Sequence, residues 1–195
     1  FGNALPEDLD WWQKEMQDKN RQKRFIDWIL DNSQKNKGFS SKMRRADNPD
    51  QEYYAWGILC GFGIDIEKES ERLPYSVVGA AICRARLESD GSLGLGSALR
   101  KCEDIKSPKS GKKDSAIDSP RLRRLLTCDN ISELCRNLRP VLSLIASKNI
   151  PLCYSRLLED ICQFQYDSSR RNLKLRWTRE FFYPSTDEST KAEGK

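Results

Sequence analysis

The sequence predicts an all-α protein, a helical bundle in two lobes with about eight or nine helices and no sheet. Three observations carry this. Apolar residues recur at spacings of three and four, as in Leu157, Ile161 and Phe164, then Leu173, Trp177 and Phe181. Helix starts and stops punctuate the chain, at Asn48-Pro49-Asp50, Asp118-Ser119-Pro120, Asn130 with Glu133, and Asn149-Ile150-Pro151. No segment reads as a strand and no internal repeat is present.

Taken in order, Glu7 to Asp18 is a short acidic segment with Trp11 and Trp12, followed by a helix over Arg21 to Gln34 that Gly38 ends. Ser40 or Ser41 caps a short helix through Lys42, Met43, Arg44, Arg45 and Ala46. A turn at Asn48-Pro49-Asp50 leads into Gln51 to Cys60, which Gly61-Phe62-Gly63 breaks. Pro74 starts the next helix, to about Leu87, with Val77, Val78, Ala81 and Ile82 inward and Ser89-Asp90-Gly91 at its end. Leu93 to Leu99 contains GLG without an upstream strand, so its glycines read as points of close helix approach rather than as a nucleotide loop.

Residues 106–118 form a basic Ser/Lys-rich loop. Its Lys109, Lys112 and Lys113 stand either as phosphate contacts or as a solvated surface. Past it, Leu122, Leu125 and Leu126 face inward and Arg121 and Arg124 share another face. Ile131, Leu134, Leu138, Val141, Leu142 and Ile145 continue the apolar stripe, with Arg136 and Arg139 away from it. Pro140 is expected to kink or split that helix. The divisions are therefore an N-terminal extension at 1–22, lobes at 23–105 and 119–184 on either side of the 106–118 loop, and a disordered tail at 185–195.

Composition narrows the function. There is no histidine, which removes the commonest general base and metal ligand. The seven cysteines, Cys60, Cys83, Cys102, Cys128, Cys135, Cys153 and Cys162, form no CxxC pair and read as small apolar filling in a reducing compartment. No catalytic residue, metal or cofactor is assigned. No apolar run approaches the ~20 residues that span a bilayer, and no leader precedes the first helix, so a soluble, cytoplasmic protein with no membrane partner is expected.

Charge gives a direction. Of 34 Lys/Arg and 29 Asp/Glu, residues 1–99 hold 14 and 16, whereas Arg100 to Glu180 hold 18 and 10. The second half thus carries +8 and points to a phosphate-bearing partner. Arg170, Arg171 and Lys174 lie beside the apolar stripe of its last helix.

The order of MRRA, LGSAL, RLRRLL, LCRNLRPVL and IPLCYSRLLEDICQFQYDSSRRNLKLRWTREFF resembles the CasB family, from about Phe25 to Tyr183. CasB is the small subunit of the type I-E CRISPR Cascade complex. The resemblance implies a non-catalytic, two-lobed helical subunit, present in two head-to-tail copies beside the backbone and large subunits. It implies contact with crRNA, target DNA and the displaced strand, whose R-loop the subunit stabilises. Arg44 and Arg45 fall on the family's Leu-Arg-Arg-Ala pattern, with Met43 replacing Leu. Arg100, Arg121 and Arg139 fall on further basic positions, while Pro140 stands where an arginine can follow. The candidate nucleic-acid contacts are these five together with Lys42, Arg124, Arg136, Arg170, Arg171 and Lys174.

Three other readings stay open at this level. Asp118 to Asn149 can be read as the helix-turn-helix of a duplex-binding regulator. Glu159-Asp160 and Glu103-Asp104 could hold Mg²⁺ in a nuclease. The chain can also be a scaffold whose arginines are merely solvated.

Overall fold

The computed structural model describes residues 7–103 and 119–183, with side chains from Arg21 onward. Among these residues the chain folds into nine helices: α1 (Glu7–Lys35), α2 (Lys37–Met43), α3 (Tyr53–Gly61), α4 (Glu69–Ala85), α5 (Leu95–Cys102), α6 (Pro120–Leu126), α7 (Ile131–Ser147), α8 (Tyr154–Gln163) and α9 (Asp167–Phe182). An isolated bridge between Leu93 and Leu152 is the nearest approach to a sheet among them. The 106–118 loop, the 185–195 tail and the side chains of Trp11 and Trp12 lie outside the described residues.

Helix α4 is central. Every residue from Pro74 to Cys83 is buried, and α1, α2, α3, α7 and α8 all pack on it. Ser76, Gly79, Ala80 and Ala81 are small enough to admit neighbours on all sides, which a single stripe of large residues would not. The expected face of Val77, Val78, Ala81 and Ile82 is buried, but so is the opposite one. The apolar cluster continues from Phe25 on α1 through Leu138 on α7 to Trp177 and Phe181 on α9. All six residues of the two C-terminal stripes are buried.

Several expected boundaries move, each for a local reason. α1 runs unbroken from Glu7 to Lys35, because Lys19 and Asn20 tolerate helix and no Pro or Gly interrupts it. Gly38 lies inside α2 rather than ending α1. Asn36 caps α2 by accepting from the Phe39 amide at 3.0 Å, so Ser40, which is buried, is not the cap. α4 starts at Glu69, five residues ahead of Pro74. Proline removes one backbone bond there, and its buried ring joins the core. α4 stops at Arg86, which caps it in the left-handed region at φ 51°. Pro140 does not split α7: its ring faces solvent while Leu138, Val141 and Leu142 stay packed.

Other signals hold. The Ser119 hydroxyl accepts from the Leu122 amide at 3.0 Å, with Pro120 in the first turn of α6. Asn130 Oδ1 accepts from the Glu133 amide at 2.8 Å, and the Glu133 carboxylate reaches back to the Asp129 amide.

Long-range ties fix the C-terminal half. Asp90 accepts from the Tyr154 and Ser155 amides at 2.6 and 3.1 Å, capping α8 from far along the chain where Cys153 supplies no side-chain cap. The Gly91 and Leu93 amides donate to Leu152 and Pro151, and a Cβ at Gly91 would collide with the Pro151 backbone. At Gly96 a Cβ would fall on the Trp177 carbonyl oxygen. The glycine thus lets α5 lie directly on α9, the close approach that the GLG segment predicts.

Candidate nucleic-acid interface

The corner where α2 turns toward α3 gathers cations from α2, α4 and α7. Lys37, Ser40, Ser41 and Arg44 repeat at helical spacing along one face of α2. Arg44 donates through Nε to the Cys83 carbonyl at 3.0 Å, which holds it against the end of α4. Arg84 donates to the Arg44 carbonyl and grips Asp47 with both terminal nitrogens. Arg139 approaches the same carboxylate from α7, with Nε 4.0 Å from Oδ2, too long for a hydrogen bond. Asp47 is buried, so one carboxylate faces two guanidinium groups and the node keeps a positive excess.

Beside this node lies a groove lined by Ser33, Gln34, Lys37, Ser40, Arg44, Cys83 and Arg86. Among the described residues three cations line it and no carboxylate does. Its rim is held by Gln34, which donates to the Leu87 carbonyl at 3.0 Å, just past the left-handed Arg86. Lys37, Arg84 and Arg86 are not among the sequence-predicted residues. Lys37 was readable from its seven-residue separation from Arg44. Arg84 and Arg86 gave no signal, because they close a helix whose pattern speaks only of the core.

The remaining candidates divide into two kinds. Lys42, Arg45, Arg121, Arg124, Arg136 and Arg171 are exposed. Among them, Arg45 lies over the Tyr54 ring at 4.8 Å and Arg121 pairs with Glu103 at 3.5 Å. Arg100, Arg170 and Lys174 are half-buried and hold the fold together. Arg100 donates to the Phe181 and Phe182 carbonyls at 2.8 and 3.2 Å, closing the last turn of α9. Arg170 joins the Phe164 and Asp129 carbonyls to Asp167, and Lys174 pairs with Asp129 at 3.6 Å. Arg170, Arg171 and Lys174 still border one shallow depression, with Leu126 and Leu175.

Of the carboxylates offered for Mg²⁺, Asp104 lies outside the described residues, and the other three have other uses. Asp160 is buried, accepts from Trp177 Nε1 at 2.8 Å and pairs with Arg176. Burial holds its carboxyl above the ordinary aspartate range, against the pull of Arg176 and Trp177. Glu159 faces Gln163, and Glu103 accepts from the Ser119 hydroxyl at 2.7 Å. Among the described residues no three His, Cys, Asp or Glu side chains are grouped to hold a metal ion. The seven cysteines are free thiols. Burial pushes Cys83 up to about 11 and Cys135 to about 12, so neither supplies a thiolate near neutral pH. As for the helix-turn-helix reading, the second helix would be α7, which packs on α4 and whose Arg139 turns inward to Asp47.

Comparison with known proteins agrees with this architecture. Residues 40–182 match the family model of CRISPR-associated protein Cse2. The crystal structure of CasB from Thermobifida fusca superposes with a TM-score of 0.57 at 19% identity, covering 86% of this chain and 97% of that one. At that identity the likeness speaks for the fold. No curated protein matches the sequence.

Proposed function

The chain belongs to the CRISPR-associated Cse2 family, and from that premise we propose that it is a non-catalytic small subunit of a type I-E Cascade complex that binds nucleic-acid backbone and stabilises the R-loop. One observation carries the binding part: the groove between α1, α2 and α4, where Lys37, Arg44 and Arg86 stand with no carboxylate among the described lining residues. A surface that served only to solvate a helix would mix both signs.

The mechanism is electrostatic. Exchange of a DNA duplex for an RNA–DNA duplex is nearly balanced, so a small protein–phosphate attraction tips it. Arginines held on helices fork onto phosphate oxygens at little ordering cost and read no sequence. Arg44 is held in place by Cys83 in this way before any ligand arrives. Arg124, Arg136 and Arg171 extend the same chemistry to the second half of the chain. The partners are crRNA, target DNA and displaced strand, a second copy of the chain, and the backbone and large subunits.

The test is charge reversal, Lys37→Glu with Arg86→Glu, in the purified protein and in the reconstituted complex. Affinity for single-stranded DNA should fall at least tenfold at low salt. The salt slope should flatten by about 0.7 for each phosphate that is no longer neutralised. An unchanged affinity with an unchanged circular dichroism spectrum would make the chain a helical scaffold instead.

A further inference from the structure

Helix α3 presents an outer face that neither the core nor the basic groove explains. From Tyr53 to Ile64 the sequence holds no ionisable acid or base other than tyrosine and cysteine. Only Ala55 and Leu59 of α3 are buried. Tyr53, Tyr54 and Trp56 are 52%, 41% and 37% exposed, unusual for three large aromatic side chains within one helical turn. Tyr53, Trp56, Gly57 and Cys60 form one exposed stripe, and a Cβ added at Gly57 would meet nothing within 4 Å.

The rings are already arranged as a stack. Tyr53 and Tyr54 lie 4.3 Å apart with a 31° tilt, and the Arg45 guanidinium covers the Tyr54 ring at 4.8 Å. Guanidinium, ring and ring thus form a ladder with an open aromatic end. Arg45 borders it directly, and Lys42, three residues earlier in the last turn of α2, is exposed. Of the carboxylates in the intervening turn, Asp47 is buried with Arg84 and Glu52 faces Arg72 at 3.7 Å, which leaves Asp50.

We propose that this face of α3 is a stacking platform for unpaired bases, with Arg45 and Lys42 holding the adjoining phosphates of a single strand. The inference rests on the nucleic-acid reading above and gives it a single-strand preference that charge alone cannot supply. Aromatic faces accept any base, so binding stays independent of sequence. A duplex, whose bases are already stacked and paired, gains nothing from the platform. A protein partner would use the aromatics equally well but would leave the ladder's cationic border without a counterpart.

The experiment compares the full chain with Tyr53→Ala/Trp56→Ala and with Tyr53→Phe/Trp56→Phe. Affinities for labelled oligo(dT) and for a duplex of equal length are read by anisotropy at two salt concentrations. The alanine variant should lose roughly tenfold in single-strand affinity, keep its duplex affinity and keep its salt slope, since no cation is removed. The phenylalanine variant should bind as the parent does, and the alanine variant's thermal midpoint shows that exposed residues were removed without unfolding. Equal single-strand affinity in parent and alanine variant overturns the proposal, as does an equal loss on duplex. Failure to assemble with other Cascade subunits at unchanged single-strand affinity assigns the face to a protein partner and overturns it too. If Lys37→Glu/Arg86→Glu weakens binding and the alanine variant does not, the backbone reading stands and stacking falls. If neither changes binding, both fall.

Discussion

Around α5, α8 and α9 each paired arginine ends on an acceptor of its own. Arg100 closes the α9 carbonyls, Arg156 meets Glu180 and Arg176 meets Asp160. At the α2–α3 corner the balance differs: Arg84 and Arg139 share Asp47, and Lys37, Arg44 and Arg86 line a groove with no carboxylate among its described residues. The sequence counts its positive excess between Arg100 and Glu180, the stretch that holds the first of these regions. The structure neutralises much of it there and leaves the excess at the second. Net charge along a segment therefore locates cations but not their destinations, which depend on the acceptors that folding brings within reach.

The largest effect that separates the regions is steric. Gly96→Ala drives a methyl into the Trp177 carbonyl and should cost about 3 kcal/mol in urea unfolding, because α5 cannot back away from α9 without opening the core. Gly57→Ala, on the open face of α3, should instead stabilise by about 0.5–1 kcal/mol. Similar costs at both glycines would erase the contrast.

Next comes Asp160→Ala, which strands the Trp177 N–H and the Arg176 guanidinium beside a buried gap. A loss of about 2–3 kcal/mol is expected from the same measurement. Arg100→Ala follows at about 1–2 kcal/mol, since two carbonyls at the end of α9 lose a charged donor. Arg124→Ala, on the exposed face of α6, should stay within about 0.5 kcal/mol of the parent. If Arg100 proves equally neutral, the distinction between capping and exposed arginines is lost.

The smallest effect is in pH. Burial raises the folded-state Asp160 carboxyl above its unfolded value, so the folded chain binds the proton more tightly. That contribution is fully present below the ordinary aspartate pKa and fades as pH rises through the raised value. Asp160→Asn, which keeps an acceptor for Trp177 but cannot ionise, should therefore gain on the parent as pH climbs from the acid side. A stability difference that grows in the parent's favour with pH would mean that the Arg176 pair outweighs the burial.

Local signals were legible where the cause was local. Ser119-Pro120 and Asn130 with Glu133 mark helix starts because a cap bonds within its own first turn. The stripes of Leu157, Ile161, Phe164 and Leu173, Trp177, Phe181 mark buried faces because a helix repeats at 3.6 residues. The same logic misplaced Gly38, Pro74 and Pro140. Those residue types bias a boundary, and packing of their neighbours or a better cap nearby overrides the bias. Among the proposed contacts, Lys37 was accessible to spacing, whereas the exposed ladder of Arg45, Tyr54 and Tyr53 was not, because aromatic content alone favours burial.

By itself the sequence determined the helical class, most of the core and the family, since periodicity, caps and motif order are properties of the linear chain. Only the tertiary structure decided that Asp90 caps α8, that Gly96 seats α5 on Trp177, and that Arg100 is a cap while Lys37 and Arg86 face a groove. Each of these depends on a partner far away in sequence, and whether a polar group is satisfied or left open is a property of that partner's position.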